Sequence, residues 1–212
     1  MASSRHVDAF VRRLEHAVAH EVDGRDRVAL AYSGGLASTL VAMLARKRSA
    51  LDCVVAGVDG SPDVRAAKAA KAHLDYRVEF LILNRRDAIR IYGRIAAADP
   101  DLRERDVENL VPLHAALERV KGRPVISGFG LPPLRPAVVS ALERSDVALP
   151  IRTASRGTTL SRSTLRAAAT VLGLPVEWAR IAHRAPVEGA GIREYFEPGI
   201  EPRNHDSTQS RL

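Results

Sequence analysis

The sequence predicts an α/β protein, a parallel sheet of about four to five strands with helices on both faces and a helical C-terminal part. Three observations predict it. Short, almost unbroken apolar runs such as "LDCVVAGV" and "VEFLIL" alternate with longer amphipathic segments, the pattern of βαβ units. The runs end in loops of Gly, Ser or Pro: "SGG", "DGSPD" and "GFGLPP". The hydrophobic fraction of 46% over 212 residues is enough for a sizeable core.

Taken in order, Val7–Val22 places Phe10, Val11, Leu14, Ala17 and Val18 on one face at helical spacing. Arg27–Tyr32 reads as a short buried strand and Ser38–Arg46 as a helix. Leu51–Val58 is a second apolar strand that ends in "DGSPD", and Asp63 is well placed to start the helix Asp63–Leu74. Val78–Leu83 is a third strand. Arg85–Ala98 and Val107–Val120 read as helices parted by the breaker "ADPDLRERD". Pro124–Ser127 is a tight fourth strand, and Pro136–Leu142, Ser161–Leu172 and Val176–His183 are later helices. A single domain is expected over residues 1–193, with a flexible tail over 194–212, where apolar residues are few.

Composition narrows the function classes. No apolar run approaches the roughly eighteen residues of a membrane helix, and the first residues, "MASSRHVDAFVRRLEHAV", have no signal-peptide apolar stretch. The lone cysteine, Cys53, lies in an apolar run and can form no intramolecular disulfide, so a cytoplasmic location is expected. The net charge is +7, with 28 Arg and four Lys, which favours anionic partners: a nucleotide, nucleic acid or a small acidic substrate. The basic residues are scattered and aromatics make up only 4%, which argues against a dedicated RNA-binding arm or a base-stacking platform. His16 and His20 are one helical turn apart, but no third ligand follows, so they read as surface histidines. Asp99, Asp101, Glu104 and Asp106 read as an exposed acidic loop, able to offer a metal ligand only if it folds over the sheet end.

Ligands of such sheets bind beyond the carboxyl ends of the strands. Three loops leave strands there: Ser33–Ala37, Asp59–Asp63 and Ser127–Leu131. In the first, Gly34 and Gly35 allow a phosphate close to the backbone. Ser33, Ser38 and Thr39 offer hydroxyls, and the helix that follows offers free N–H groups and the positive end of its dipole. The expected geometry is a strand-to-helix turn over Ser33–Thr39 with its amides in an open cleft, flanked by the other two loops. No Walker motif occurs.

These motifs carry a family resemblance. "SGGLAST" resembles the S-G-G-x-D-S signature of the PP-loop ATP pyrophosphatases. "VAGVDGSPDVRAAKAAKAHL" is similar to the second nucleotide loop and helix of the asparagine synthetase synthetase domain, and "VISGFG" to its S-G-x-G loop. "LRAAATVLGLPVEWARIAHRAPVEGAGI" is similar to its closing segment, so the resemblance runs in order from Val7 to Ile192. It implies an adenine nucleotide alpha hydrolase-like fold, ATP as cofactor, and adenylation of a carboxylate followed by amination with release of AMP. It places pyrophosphate on Ser33, Gly34, Gly35, Leu36, Ser38 and Thr39, and adenosine against Tyr32, Ala56 and Gly57 with Asp63 nearby. Ser127 and Gly128 would lie by the ribose and α-phosphate, and Arg184 stands in for a catalytic lysine that steadies the polyphosphate.

The departures from the family pattern bear on Mg²⁺. Ala37 replaces the acid of the first motif, and Leu131, Pro132 and Pro133 follow Gly130 where an acidic pair is expected. Those acids hold Mg²⁺ in the family, so no metal ligand is assigned here. The glutaminase domain with its N-terminal cysteine has no counterpart in these residues, which implies free ammonia, another amine, or a separate ammonia-supplying subunit. The expected function is an AMP-forming amide ligase. The alternatives are a non-catalytic nucleotide-binding relative, or a PP-loop RNA-modifying enzyme marked by arginines around the carboxyl end of the sheet. Backbone binding of phosphate is expected to outlast the loss of the acids, with little dependence on metal.

Overall fold

The computed structural model describes residues 4–74, 77–131, 134–158, 160–180 and 184–197. The first half alternates α1 (Ser4–Val22), β1 (Arg27–Ala31), α2 (Leu36–Ala45), β2 (Ala50–Gly57), α3 (Pro62–Leu74) and β3 (Arg77–Ile82). Two helices, α4 (Arg85–Ala98) and α5 (Glu104–Arg119), then lead to β4 (Val125–Ser127). After it come α6 (Pro136–Arg144), β5 (Val147–Ala148), α7 (Pro150–Ser155), α8 (Arg162–Val171), α9 (Val176–Ala179), α10 (Pro186–Gly189) and a 3₁₀ turn at Arg193–Tyr195.

All strand pairs are parallel, in the order β3-β2-β1-β4-β5. Leu30 at the centre is flanked by Cys53 on one side and Ile126 on the other. The chain moves outward from β1 through β2 to β3, then returns to the far side of β1 for β4. The connections after β1 and β4 therefore leave on opposite faces, which opens a crevice between these two strand ends.

Strand alternation decides what each face buries. Val28 and Leu30 join Phe10 and Leu14 of α1, Val41 of α2, Val64 of α3 and Leu165 of α8 in one core layer. Ala29 and Val54 face the other layer with Ala116 and Val125, continued by Ile91, Leu110 and Leu142 of α4, α5 and α6. With helices on both faces, β1 is an apolar run without polar alternation, as expected of a buried parallel strand. Cys53 is wholly buried, and burial pushes its thiol up to about 12, which leaves it unreactive at neutral pH.

The expected elements are present, with ends shifted by a residue or a few. Three short elements escape the sequence reading: β5, α7 and α10. β5 pairs only with β4 and spans two residues, too few to show a period. The predicted helix Val176–His183 ends earlier, at Ala179, and His183 lies outside the described residues. Of the tail expected from residue 194, residues 194–197 are described. The Tyr195 hydroxyl donates to the Leu83 carbonyl at 3.4 Å and the Phe196 ring lies 5.3 Å from that of Tyr92, so packing continues to the last described residues. Residues 198–212 lie outside the description. Among the described residues no helix is long and apolar enough to cross a membrane.

At the amino end of the sheet Asp52, its side chain 15% exposed, pairs with Arg123 at 2.7 Å, Arg27 at 3.2 Å and Arg77 at 3.7 Å. One carboxylate thus ties β1, β2 and β3 to the turn before β4. Asp52→Ala is expected to lower the unfolding free energy by about 1.5–3 kcal/mol, the range for hydrogen bonds to a charged group. Urea denaturation checks this, and an unchanged midpoint would show the cluster to be no more than a solvated surface network.

Candidate functional site

A cleft of about 740 Å³ opens at the carboxyl ends of β1 and β4. The first loop lines it with Ser33, Gly35, Leu36, Ala37 and Ser38, and the third with Ser127 through Leu131. Pro62 and Asp63, at the start of α3, bring in the second loop. The expected meeting of the three loops therefore occurs, although Asp59 lies on the surface, paired with Lys68 at 3.2 Å.

Gly34, at φ 69, turns the chain out of β1, and a β-carbon there would fall within 2.9 Å of Ala66 and Ala67 in α3. Gly35 caps α2 in an extended conformation, with no side-chain capping bond. The Ser38 hydroxyl donates to the Gly35 carbonyl at 2.9 Å, and the Gly35 amide donates to the Ser33 hydroxyl at 3.3 Å. These bonds hold the turn shut on itself. The first-turn amides of a helix have no acceptor within it, and the residues bearing them, Leu36–Ser38, line the cleft. Across the crevice the Phe129 amide donates to the Ser127 hydroxyl at 3.1 Å, fixing the turn after β4. Gly128 then rests on α2 so closely that a β-carbon there would lie 2.4 Å from the Ser38 nitrogen.

Not every residue of the expected set reaches the cleft. Thr39 is fully buried with its hydroxyl 3.1 Å from that of Tyr32, so it braces the core under the loop and offers no ligand contact. The reason is periodic: Thr39 lies on the inward face of α2, whereas Leu36 to Ser38 sit at its open end. Tyr32 lines the floor of the cleft but is only 3% exposed. Ala56 faces the cleft, while Gly57 is turned against Ser61 and the Ala190 carbonyl. Gly34 likewise faces α3, and Arg184 lies on the rim beside Asp63.

Of the arginines on the walls, the sequence reading names Arg184 alone. Besides Arg184, the cleft is lined by Arg103 and Arg105 at the start of α5, Arg135 before α6, and Arg162 and Arg166 on α8. Arg135 pairs with Asp106 at 2.5 Å and Arg105 with Glu188 at 3.2 Å. The one available sequence signal was the spacing of Arg162 and Arg166, one turn apart around the apolar Leu165.

Asp63 packs on Gly189, where a β-carbon would sit 2.4 Å from its Oδ1. Burial pushes its carboxyl up to about 7, against the opposing pull of Arg184. The donor set does not fit a divalent cation held by the protein. Ala37 carries no oxygen, Asp106 is committed to Arg135, and no group of three His, Cys, Asp or Glu among the described residues is placed to hold a metal. Pro132 and Pro133 lie outside the described residues. Asp99 of the acidic loop pairs with Arg144, His16 is exposed, and His20 contacts Glu21.

Two outcomes follow from this arrangement. Thr39→Val should cost about 1 kcal/mol of stability, one internal hydrogen bond, while leaving pyrophosphate affinity unchanged in calorimetry. The folded chain holds a proton on Asp63 that the unfolded chain, with a carboxyl near 3.8, releases. Its stabilisation is complete below about pH 4 and is lost as the pH rises through about 7. Urea midpoints at about pH 5 and about pH 8 should therefore fall more steeply for the wild type than for Asp63→Asn.

The family model for asparagine synthase matches residues 9–128, from α1 to the glycine of the third loop. No curated protein matches the sequence. Among solved structures, a predicted subunit of tRNA methyltransferase from Methanocaldococcus jannaschii is similar at 15% identity and a TM-score of 0.40, over 72% of this chain and 91% of that one. Because the family match spans more than half of the chain and takes in the turn that caps α2, the chain belongs to the asparagine synthase family, within the PP-loop superfamily.

Proposed function

We propose that the cleft binds ATP, with the polyphosphate on the amide end of α2, and that the chain is a nucleotide-binding relative of the amide ligases in which metal-assisted adenylation has been lost. One observation carries this reading: the open first turn of α2, Leu36–Ser38, lines the cleft with Ala37 at the position of the family's acid. The amides and the helix dipole belong to the backbone and do not depend on the side chain at 37. In this reading Ser127 and Gly128 flank the sugar and α-phosphate, Ala56 and Asp63 lie towards the base, and Arg184 adds positive charge at the rim.

Activity is a separate matter from binding. A missing group that stabilises a transition state costs on the order of a hundredfold or more in rate, and both acidic positions of the family pattern are altered. Adenylation of a small acidic substrate, with ammonia from solution or from another subunit, would run slowly at best. The arginines converge on a concave site rather than spreading over a face, which favours a compact polyanion over an RNA chain.

Calorimetric titration with ATP, in Mg²⁺ and in EDTA, tests the reading, together with ATP–pyrophosphate exchange in the presence of aspartate. Binding in both buffers with negligible exchange is expected. Ala37→Asp should tighten binding in Mg²⁺ without restoring full turnover. Rapid Mg²⁺-dependent exchange would instead establish a working ligase that recruits another acid of the cleft, such as Asp63. Absence of binding in both buffers would make the cradle a relic of the fold.

A further inference from the structure

We propose that Arg162 and Arg166 take over the charge-neutralising role of the missing metal, pairing with the polyphosphate of a nucleotide seated on α2. This rests on the ATP-binding reading above and names the groups that make it independent of a divalent cation.

Position supports it first. α8 packs against α2, and Leu165, 2% exposed, joins the core cluster against which Leu36 and Ala37 pack. The residues on either side of that anchor, Arg162 and Arg166, are one turn apart, share a helix face and both line the cleft. Charge supports it second. Arg105 and Arg135 on the opposite wall are committed to Glu188 and Asp106, and Arg184 stands beside Asp63. Arg162 and Arg166 have no acidic partner among the described residues, and the first turn of α8 holds no acid. Arg162, at the first position of α8, also opposes the helix dipole, an electrostatic cost that a bound anion relieves.

Stoichiometry and shape complete the argument. Two guanidiniums carry the same double positive charge as one Mg²⁺. Each presents a planar fork of donors that matches two phosphate oxygens, which an ammonium cannot do. A metal ion on the polyphosphate would occupy the oxygens that the arginines need. The wild-type chain should therefore bind metal-free ATP at least as tightly as Mg·ATP, the reverse of a site built on carboxylates.

The test is calorimetry with ATP and with inorganic tripolyphosphate, each in EDTA and in Mg²⁺. The wild type is compared with Arg162→Ala/Arg166→Ala, with Arg162→Lys/Arg166→Lys, and with the charge-matched control Arg86→Ala/Arg156→Ala, whose arginines are exposed and lie off the cleft. All four arginines are exposed, so unfolding midpoints should stay level across the set. The double alanine variant should bind either probe in EDTA roughly tenfold more weakly for each arginine lost, as expected of charge-assisted hydrogen bonds. It should also lose the preference for metal-free ATP. The lysine variant should fall between, and the control should match the wild type. Unchanged affinity in the double alanine variant would overturn the assignment, as would an equal loss in the control or a wild type that binds only with Mg²⁺. A wild type that binds neither probe in either buffer would overturn the ATP-binding reading itself, and this inference with it.

Discussion

Gly128 and the first turn of α2 approach each other more closely than any side chain would allow, and the cleft is organised around that contact. Parallel pairing of β1 with β4 sets Ala31 opposite Ser127, so the two chains leave the sheet side by side. Gly34 then presses the outgoing turn onto α3, and Gly128 closes on α2 from the other side. The amide end of α2 is clasped between these two glycines and cannot drift. Backbone amides cannot adjust to a ligand as side chains do, so the amide part of the proposed anion site needs this rigidity.

The electrostatics of the cleft have shifted from carboxylate to guanidinium. The acid of the first loop is Ala37, Asp106 is neutralised by Arg135, and Asp63 is half-buried in a setting that favours its protonated form. Against these stand six arginines contributed by α5, α6, α8 and the rim segment before α10. Such a cleft suits a polyanion, the ligand proposed above, and among the described residues it gathers no group of three donors placed to hold a metal. In the proposed reading binding and catalysis draw on different atoms, amides and guanidiniums for the one and carboxylates for the other. One can therefore persist as the other fades.

Helices cover both faces of the sheet. α1 packs on α7 and α8 over one face, and α4 packs on α5 over the other. Between these two covers the cleft opens at the carboxyl ends of β1 and β4. Asp52 and its three arginines lie at the other end, so the main ion cluster of the sheet is independent of the site.

The sequence by itself determined the sheet, its parallel sense and the three loops at its carboxyl end. Short apolar runs that alternate with amphipathic segments are the pattern of strands covered on both faces, and glycine and serine clusters after them mark turns. Short elements escaped because two residues of β5 or six of α7 carry no period, and they form through contacts supplied by neighbours. Thr39 and Ser38 look alike as hydroxyls in a motif, yet one faces the core and the other the cleft. The rotation of α2 against the sheet, and not the motif, separates them. The arginine wall was illegible for a related reason. Arg103, Arg135, Arg162 and Arg184 are far apart along a chain with arginines throughout, and only the packing of α5, α6 and α8 around the strand ends brings their charges to one anion site.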